Sequence, residues 1–143
     1  MSNNIPRGFR NHNPLNIRRT DPPTEWEGLA TAQTDKSFVQ FVSNAYGYRA
    51  AFCTIRTYVK KHKCDTVRKI ISRWAPPNEN NTKIYIRKVS KLSNVNPDEV
   101  IDLDNVITMT AIVSAMAIIE NGVYEIDVSE VKEGYRLAFG TSK

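Results

Sequence analysis

Glu120 is the residue whose type and position most invite chemistry. Met109, Val113 and Met116 recur at helical spacing ahead of it and place it on their stripe. The carboxylate therefore continues an apolar face. It also falls in the last turn of its helix, where the macrodipole is negative and opposes an anion. Desolvation and the dipole both favour the neutral acid, the form from which a general acid delivers a proton. The competing reading of the same position is a side chain at a helix end that turns out to solvent. His12 and His62 form no ligand cluster, and the sequence holds no Gly-rich phosphate loop, nucleophile elbow or Cys-His arrangement. No metal and no cofactor are expected.

The elements that must hold Glu120 are mostly helical. The charge-free run Val106 to Ile119 predicts a helix from about Asp104 to Glu120, ended by Asn121-Gly122. Residues 1–35 are rich in Asn, Pro, Arg and Thr and predict loops with a short β-hairpin. Partial alternation over Ser37 to Val42 predicts a short strand. Asn44 is the expected cap of a helix from Ala45 to about Lys61, with Tyr48, Ala51, Phe52, Ile55, Tyr58 and Val59 on one face. Asp65 is the expected cap of a second helix carrying Val67, Ile70, Ile71 and Trp74, which stops before Pro76-Pro77. A third, from near Asn81 to Leu92, should turn Ile84, Tyr85, Val89 and Leu92 inward. A turn or short helix at Asn96 to Glu99 and a last helix over about Ser129 to Ala138 complete the chain. The fold class is α+β, mainly α, with one domain over residues 1–143.

Charge and composition narrow the partners. The 143 residues carry a net charge of +5 and a pI of about 9.3, which favours anionic polymers or surfaces. Cys53 and Cys64 are too few for a disulfide framework and read as reduced thiols. The N-terminus lacks the apolar stretch of a signal peptide, and the most apolar run falls short of the roughly 20 residues that span a bilayer. These features predict a chain made as a soluble cytoplasmic protein, without a transmembrane segment, that needs a delivery route if its target lies outside.

Several segments together resemble the lysozyme-like superfamily. Ile118-Ile119-Glu120-Asn121-Gly122 is similar to the end of the catalytic helix in muramidases and lytic transglycosylases. Arg7-Gly8-Phe9-Arg10-Asn11-His12-Asn13-Pro14-Leu15-Asn16-Ile17-Arg18, Trp26-Glu27-Gly28, Phe38-Val39-Gln40-Phe41 and Tyr46-Gly47-Tyr48-Arg49-Ala50 resemble phage virion-associated lysozyme-like proteins. They also resemble the Asn-rich pattern of cell-wall glucosaminidases. Arg73-Trp74-Ala75-Pro76-Pro77-Asn78-Glu79-Asn80-Asn81-Thr82, then Tyr85, continues the phage pattern. In the usual families the Glu helix precedes the Asn-rich hairpin; here it follows. The resemblance therefore implies a circularly permuted order of the same parts, which is tolerable where termini lie close together.

The resemblance implies a peptidoglycan-cleaving glycosidase, a muramidase or a lytic transglycosylase, with Glu120 as its acid and the wall glycan as its partner. It would act on the bacterial cell wall as a phage lysis or virion component, with virion or secretion-machinery components as partners. Glycosidic cleavage needs a proton on the leaving oxygen and support for an oxocarbenium-like centre. Asp21, Glu25, Glu27 and Asp35 are open candidates for a second carboxylate; a transglycosylase can work with one Glu, and that mode is slightly favoured. Sugars bind through aromatic faces and amide hydrogen bonds. Trp26, Tyr46, Trp74 and Tyr85 are the candidate faces, and Asn13, Asn16 and Asn80 the candidate amides. Trp74 and Tyr85 read equally as core. Glu79 either binds substrate or caps its helix, and Phe38, Phe41, Tyr48 and Phe52 read as core.

Two rival classes remain. The first is a lysozyme-like virion structural or wall-binding protein without activity, since fold does not fix function. The second is a nucleic-acid-binding module built on Arg56, Lys60, Lys61, His62, Lys63, Arg68, Lys69 and Arg73. Such a stretch is more often a solvated face, and nucleic acid is not the expected partner.

Overall fold

The computed structural model describes residues 5–75 and 79–140, the side chains of 79 and 80 excepted. Its helices are α1 (Arg7–Arg10), α2 (Asn44–His62), α3 (Val67–Trp74), α4 (Glu79–Ser93), α5 (Val106–Asn121) and α6 (Val128–Phe139). The fold is mainly helical, as the sequence predicts.

Local chemistry sets most boundaries. The Ser43 hydroxyl accepts from the Tyr46 N–H and caps α2, and the Thr66 hydroxyl accepts from Lys69 N–H and caps α3. Each cap lies one residue before or after the expected one. The Asn105 side chain caps α5, and Gly122 ends it at φ 61°, a left-handed conformation that glycine adopts without strain.

Packing follows the apolar faces. α2 lies along α6, where Phe52, Tyr135 and Phe139 meet as a ring cluster with centroid spacings of 4.6–6.1 Å. α5 packs on α4, and Met109, Ile112, Val113 and Met116 are fully buried. α4 turns differently from the expectation. Val89 is inward as predicted, but Ile86 is buried while Ile84 and Leu92 are exposed. Apolar residues lie on two faces of this helix, and contact with α5 selects one of them.

The expected hairpin and strand shrink to two isolated bridges, Arg18 with Phe38 and Leu29 with Phe41. Side chains take the place of the ladder. The Asn13 amide donates to the Ile17 and Val39 carbonyls and accepts from the Ile17 N–H, at 2.8–2.9 Å. The Gln40 amide oxygen accepts from the Thr34 and Asp35 N–H groups, and Gln33 donates to the Gln40 carbonyl. These bonds satisfy the backbone without a second strand in register.

Candidate active site

Residues from both ends of the sequence converge on α5. The Asn16 amide donates to Glu120 Oε1 at 3.0 Å, and the Tyr85 hydroxyl donates to Oε2 at 2.9 Å. One loop and two helices thus meet at a single carboxylate. The neighbouring Asn121 amide donates to the Pro14 carbonyl at 2.8 Å and to Ala117 within its own helix. The apolar stripe ends with Met116, which is fully buried, whereas Glu120 is half-buried among polar partners.

Gly8 makes this convergence possible. A Cβ on it would meet Asn121 Oδ1 at 2.5 Å and Asn16 Oδ1 at 3.1 Å. Any larger residue would have to displace the Asn121 side-chain amide and would crowd Asn16 Oδ1 and the Asn13 carbonyl. Asn16 itself adopts a left-handed conformation at φ 53°, which asparagine tolerates better than most residues.

Glu120 opens onto a groove of about 530 Å³. Leu15, Asn16, Ile17, Arg18 and Phe38 form its loop side; Thr54 and Tyr58 of α2, with Trp74 and Ala75 at the end of α3, form the rest. Trp74 and Tyr58 meet edge to face at 6.2 Å. Among the described lining residues Glu120 is the one carboxylate.

The chain is 36% identical over 138 residues to Protein P5 of Pseudoalteromonas phage PM2, a match that spans 96% of the chain and 84% of the relative. It belongs to the Protein P5 family. No family model matches the sequence. In this P5-family chain, of the residues expected to bind substrate, Asn16 and Trp74 line the groove with Glu120, and Tyr85 reaches the same carboxylate. Burial, the charge on Glu120 and the hydrogen bond to it all push the Tyr85 phenol above its ordinary range, so it stays a donor at physiological pH.

The other expected contacts lie elsewhere. Asn13 is fully buried and holds the loop together through the bonds described above. Trp26 and Tyr46 pack on a small second cluster with Val39, Phe41 and Ala50. Glu79 and Asn80 begin α4, and their side chains lie outside the described residues. Phe41, Tyr48 and Phe52 are core, whereas Phe38 is half-buried at the groove. Asp35 pairs with Arg7 at 2.8 Å, and Glu27 pairs with Arg49 at 3.2 Å. Neither carboxylate, nor Asp21 nor Glu25, lines the groove. Arg18, Thr54 and Tyr58 do line it but had no signal of their own. Tyr58 shares its face of α2 with core residues, and only the tertiary arrangement separates the two roles.

The basic stretch of the nucleic-acid reading is partly occupied. Arg68 is bidentate to Asp98, Lys69 meets Asp65, Arg73 meets His62, and Arg56 donates to the Ala138 carbonyl. Among the described residues no group of three or more His, Cys, Asp or Glu could hold a metal ion, and Cys53 and Cys64 are free thiols. No described helix is long and apolar enough to cross a membrane.

Proposed function

We propose that the chain cleaves the glycan strands of bacterial peptidoglycan, with Glu120 as general acid, on lysozyme-like parts arranged in permuted order. The observation that carries this reading is the Glu120 carboxylate on the wall of an open groove, oriented by an asparagine from the other end of the sequence. Ordered donors fix the orientation of the Glu120 carboxyl group, so that in its protonated form it faces one position, where a glycosidic oxygen could take the proton. Tyr58 and Trp74 supply aromatic faces for sugar rings.

With Glu120 the one carboxylate among the described lining residues, the transglycosylase mode is the better fit. Glu120 protonates the leaving oxygen and the C1–O bond breaks. A hydroxyl of the same sugar then closes on C1 and returns its proton to Glu120. No water is consumed, and the product carries an anhydro end. A phage protein as relative is compatible with a chain that opens a bacterial wall.

Digestion of purified peptidoglycan, followed by mass spectrometry of the fragments, tests this. Anhydro ends are expected; reducing ends would place hydrolysis in their stead. Glu120→Gln should lose at least roughly a hundredfold in rate, the usual share of general acid catalysis. Near-wild-type cleavage by that variant would overturn the assignment.

One observation favours a second reading. Both Glu120 oxygens accept bonds that tie the loop, α4 and α5 together, as a structural fastener would. On that reading the chain is an inert lysozyme-like virion or wall-binding protein. Wild-type chain that binds sacculi, releases no fragments and is markedly destabilised by Glu120→Gln would establish it.

A further inference from the structure

One cation on the groove wall has no hydrogen-bond or ion-pair partner among the described residues. Four arginines belong to the loop region, and three of them are engaged elsewhere. Arg7 pairs with Asp35, Arg10 donates to the Ile5 carbonyl, and Arg19 donates to the Asp35 carbonyl. Arg18 lines the groove and makes no hydrogen bond or ion pair among the described residues. Its guanidinium lies over the Phe38 ring at 5.0 Å. Arg7 also lies over that ring, at 4.7 Å, but its charge is already matched by Asp35.

This arrangement has a directional consequence. Stacking on an aromatic ring holds a guanidinium plane while leaving its N–H edges open. Those edges suit a carboxylate, which they can grip through two parallel bonds. Every second sugar of a peptidoglycan strand bears a lactyl group on its ring. Its carboxyl is either free or extended by a peptide with carboxylates of its own. Neutral polymers of N-acetylglucosamine have the same backbone and neither charge.

We propose that Arg18 is a specificity residue that selects glycans carrying a carboxylate on the lactyl substituent or on the peptide built from it. The inference rests on the reading of the groove as a glycan cleft and names which glycans enter it. Arg18 supplies the charge contact in the groove that Glu120 also lines, while Tyr58 and Trp74 offer ring faces that neutral and charged sugars share.

Calorimetric titration tests the idea with three probes: a neutral chitooligosaccharide, an amidase-stripped glycan fragment with free lactyl carboxylates, and a peptide-bearing fragment. Glu120→Gln is the titrated protein, so that no probe is cleaved. At low salt a charged fragment should bind about tenfold more tightly than the neutral one, the scale of one charge-assisted hydrogen bond, and added salt should narrow the gap. The tighter of the two charged fragments identifies where the carboxylate sits.

Adding Arg18→Met should abolish the gap, and Arg18→Lys should keep part of it. Arg18 is exposed, so these variants should fold. Arg73 serves as the control: it stands over Tyr58 at 5.2 Å without lining the groove, and Arg73→Met should leave the gap intact. The same preference should appear in wild-type kcat/KM, which removes dependence on the Gln variant. Equal affinity for neutral and charged probes, or a gap that survives Arg18→Met, overturns the proposal. Wild-type chain that prefers charged probes yet cleaves none overturns the catalytic reading and leaves the role of Arg18 standing. Binding of no probe overturns both.

Discussion

The loop region from Ile5 to Ser43 and the helical region that follows reach order by different means. In the helical region, fully buried Ile55, Ile70, Ile71, Ile112 and Met116 supply interchangeable apolar volume. In the loop region Asn11 and Asn13 are buried beside Leu15, Val39 and Phe41, and the chain is held by named amides and one carboxylate on named backbone groups. Apolar packing tolerates many solutions of similar size. A polar network does not, because each lost partner leaves a buried group unsatisfied. The groove lies where the two regimes meet: the loop fixes Asn16, and the helices fix Glu120.

The strongest way to break this contrast is Asn13→Ala. It strips the Ile17 N–H and the Ile17 and Val39 carbonyls of a partner. The Ile17 carbonyl keeps its bond from the Val39 N–H, so two groups are left unpaired; at about 1–3 kcal/mol each, urea denaturation should show a loss of at least about 2 kcal/mol. A loss under about 1 kcal/mol would mean that the loop does not depend on its amides.

Asp35→Asn should have a smaller, pH-dependent effect. The Arg7 guanidinium first, then Asn11 and the Phe38 and Ser37 N–H groups, hold the Asp35 carboxyl well below the usual carboxylate range, against the opposing effect of its burial. The folded state therefore resists a proton that the unfolded chain accepts near pH 4. Its stabilisation is complete above that value and is lost as pH falls below it, toward the folded value. Melting curves of the wild type should drop more steeply below about pH 4 than those of the variant, which should be the less stable of the two at neutral pH. Parallel curves would show that the Arg7–Asp35 contact contributes nothing.

The smallest effect belongs to the helical core. Ile70→Val removes one methylene from a fully buried site and should cost about 1 kcal/mol. Glycan binding in the groove should not change. A larger loss, or altered binding, would show that the helical core is as exacting as the loop.

The same contrast explains what the sequence disclosed. Helices announced themselves through periodicity, and their ends through cap residues. The one-residue disagreements at Ser43 and Thr66 arise because Asn44 and Asp65 beside them are equally good caps. The face of α4 could not be read, since Ile84 and Ile86 point different ways and only packing against α5 and α3 chooses between them. The strand pattern at Ser37 to Val42 suggested a ladder because side-chain substitutes such as Asn13 and Gln40 leave no periodic trace. Glu120 stood out because it breaks the pattern of its helix, and Asn16 because it sits in a dense Asn-rich motif. Arg18 and Tyr58 did not, for the groove is a property of the assembled surfaces.

The Asn16–Glu120 hydrogen bond has a consequence in time. Translation delivers Asn16 long before Glu120, and 104 positions separate them. During synthesis the loop can form early, while the carboxylate it will orient does not yet exist. No nascent chain still lacking α5 can present the groove with its acid in place. The site arrives late and whole, when the end of α5 docks onto a loop made at the beginning.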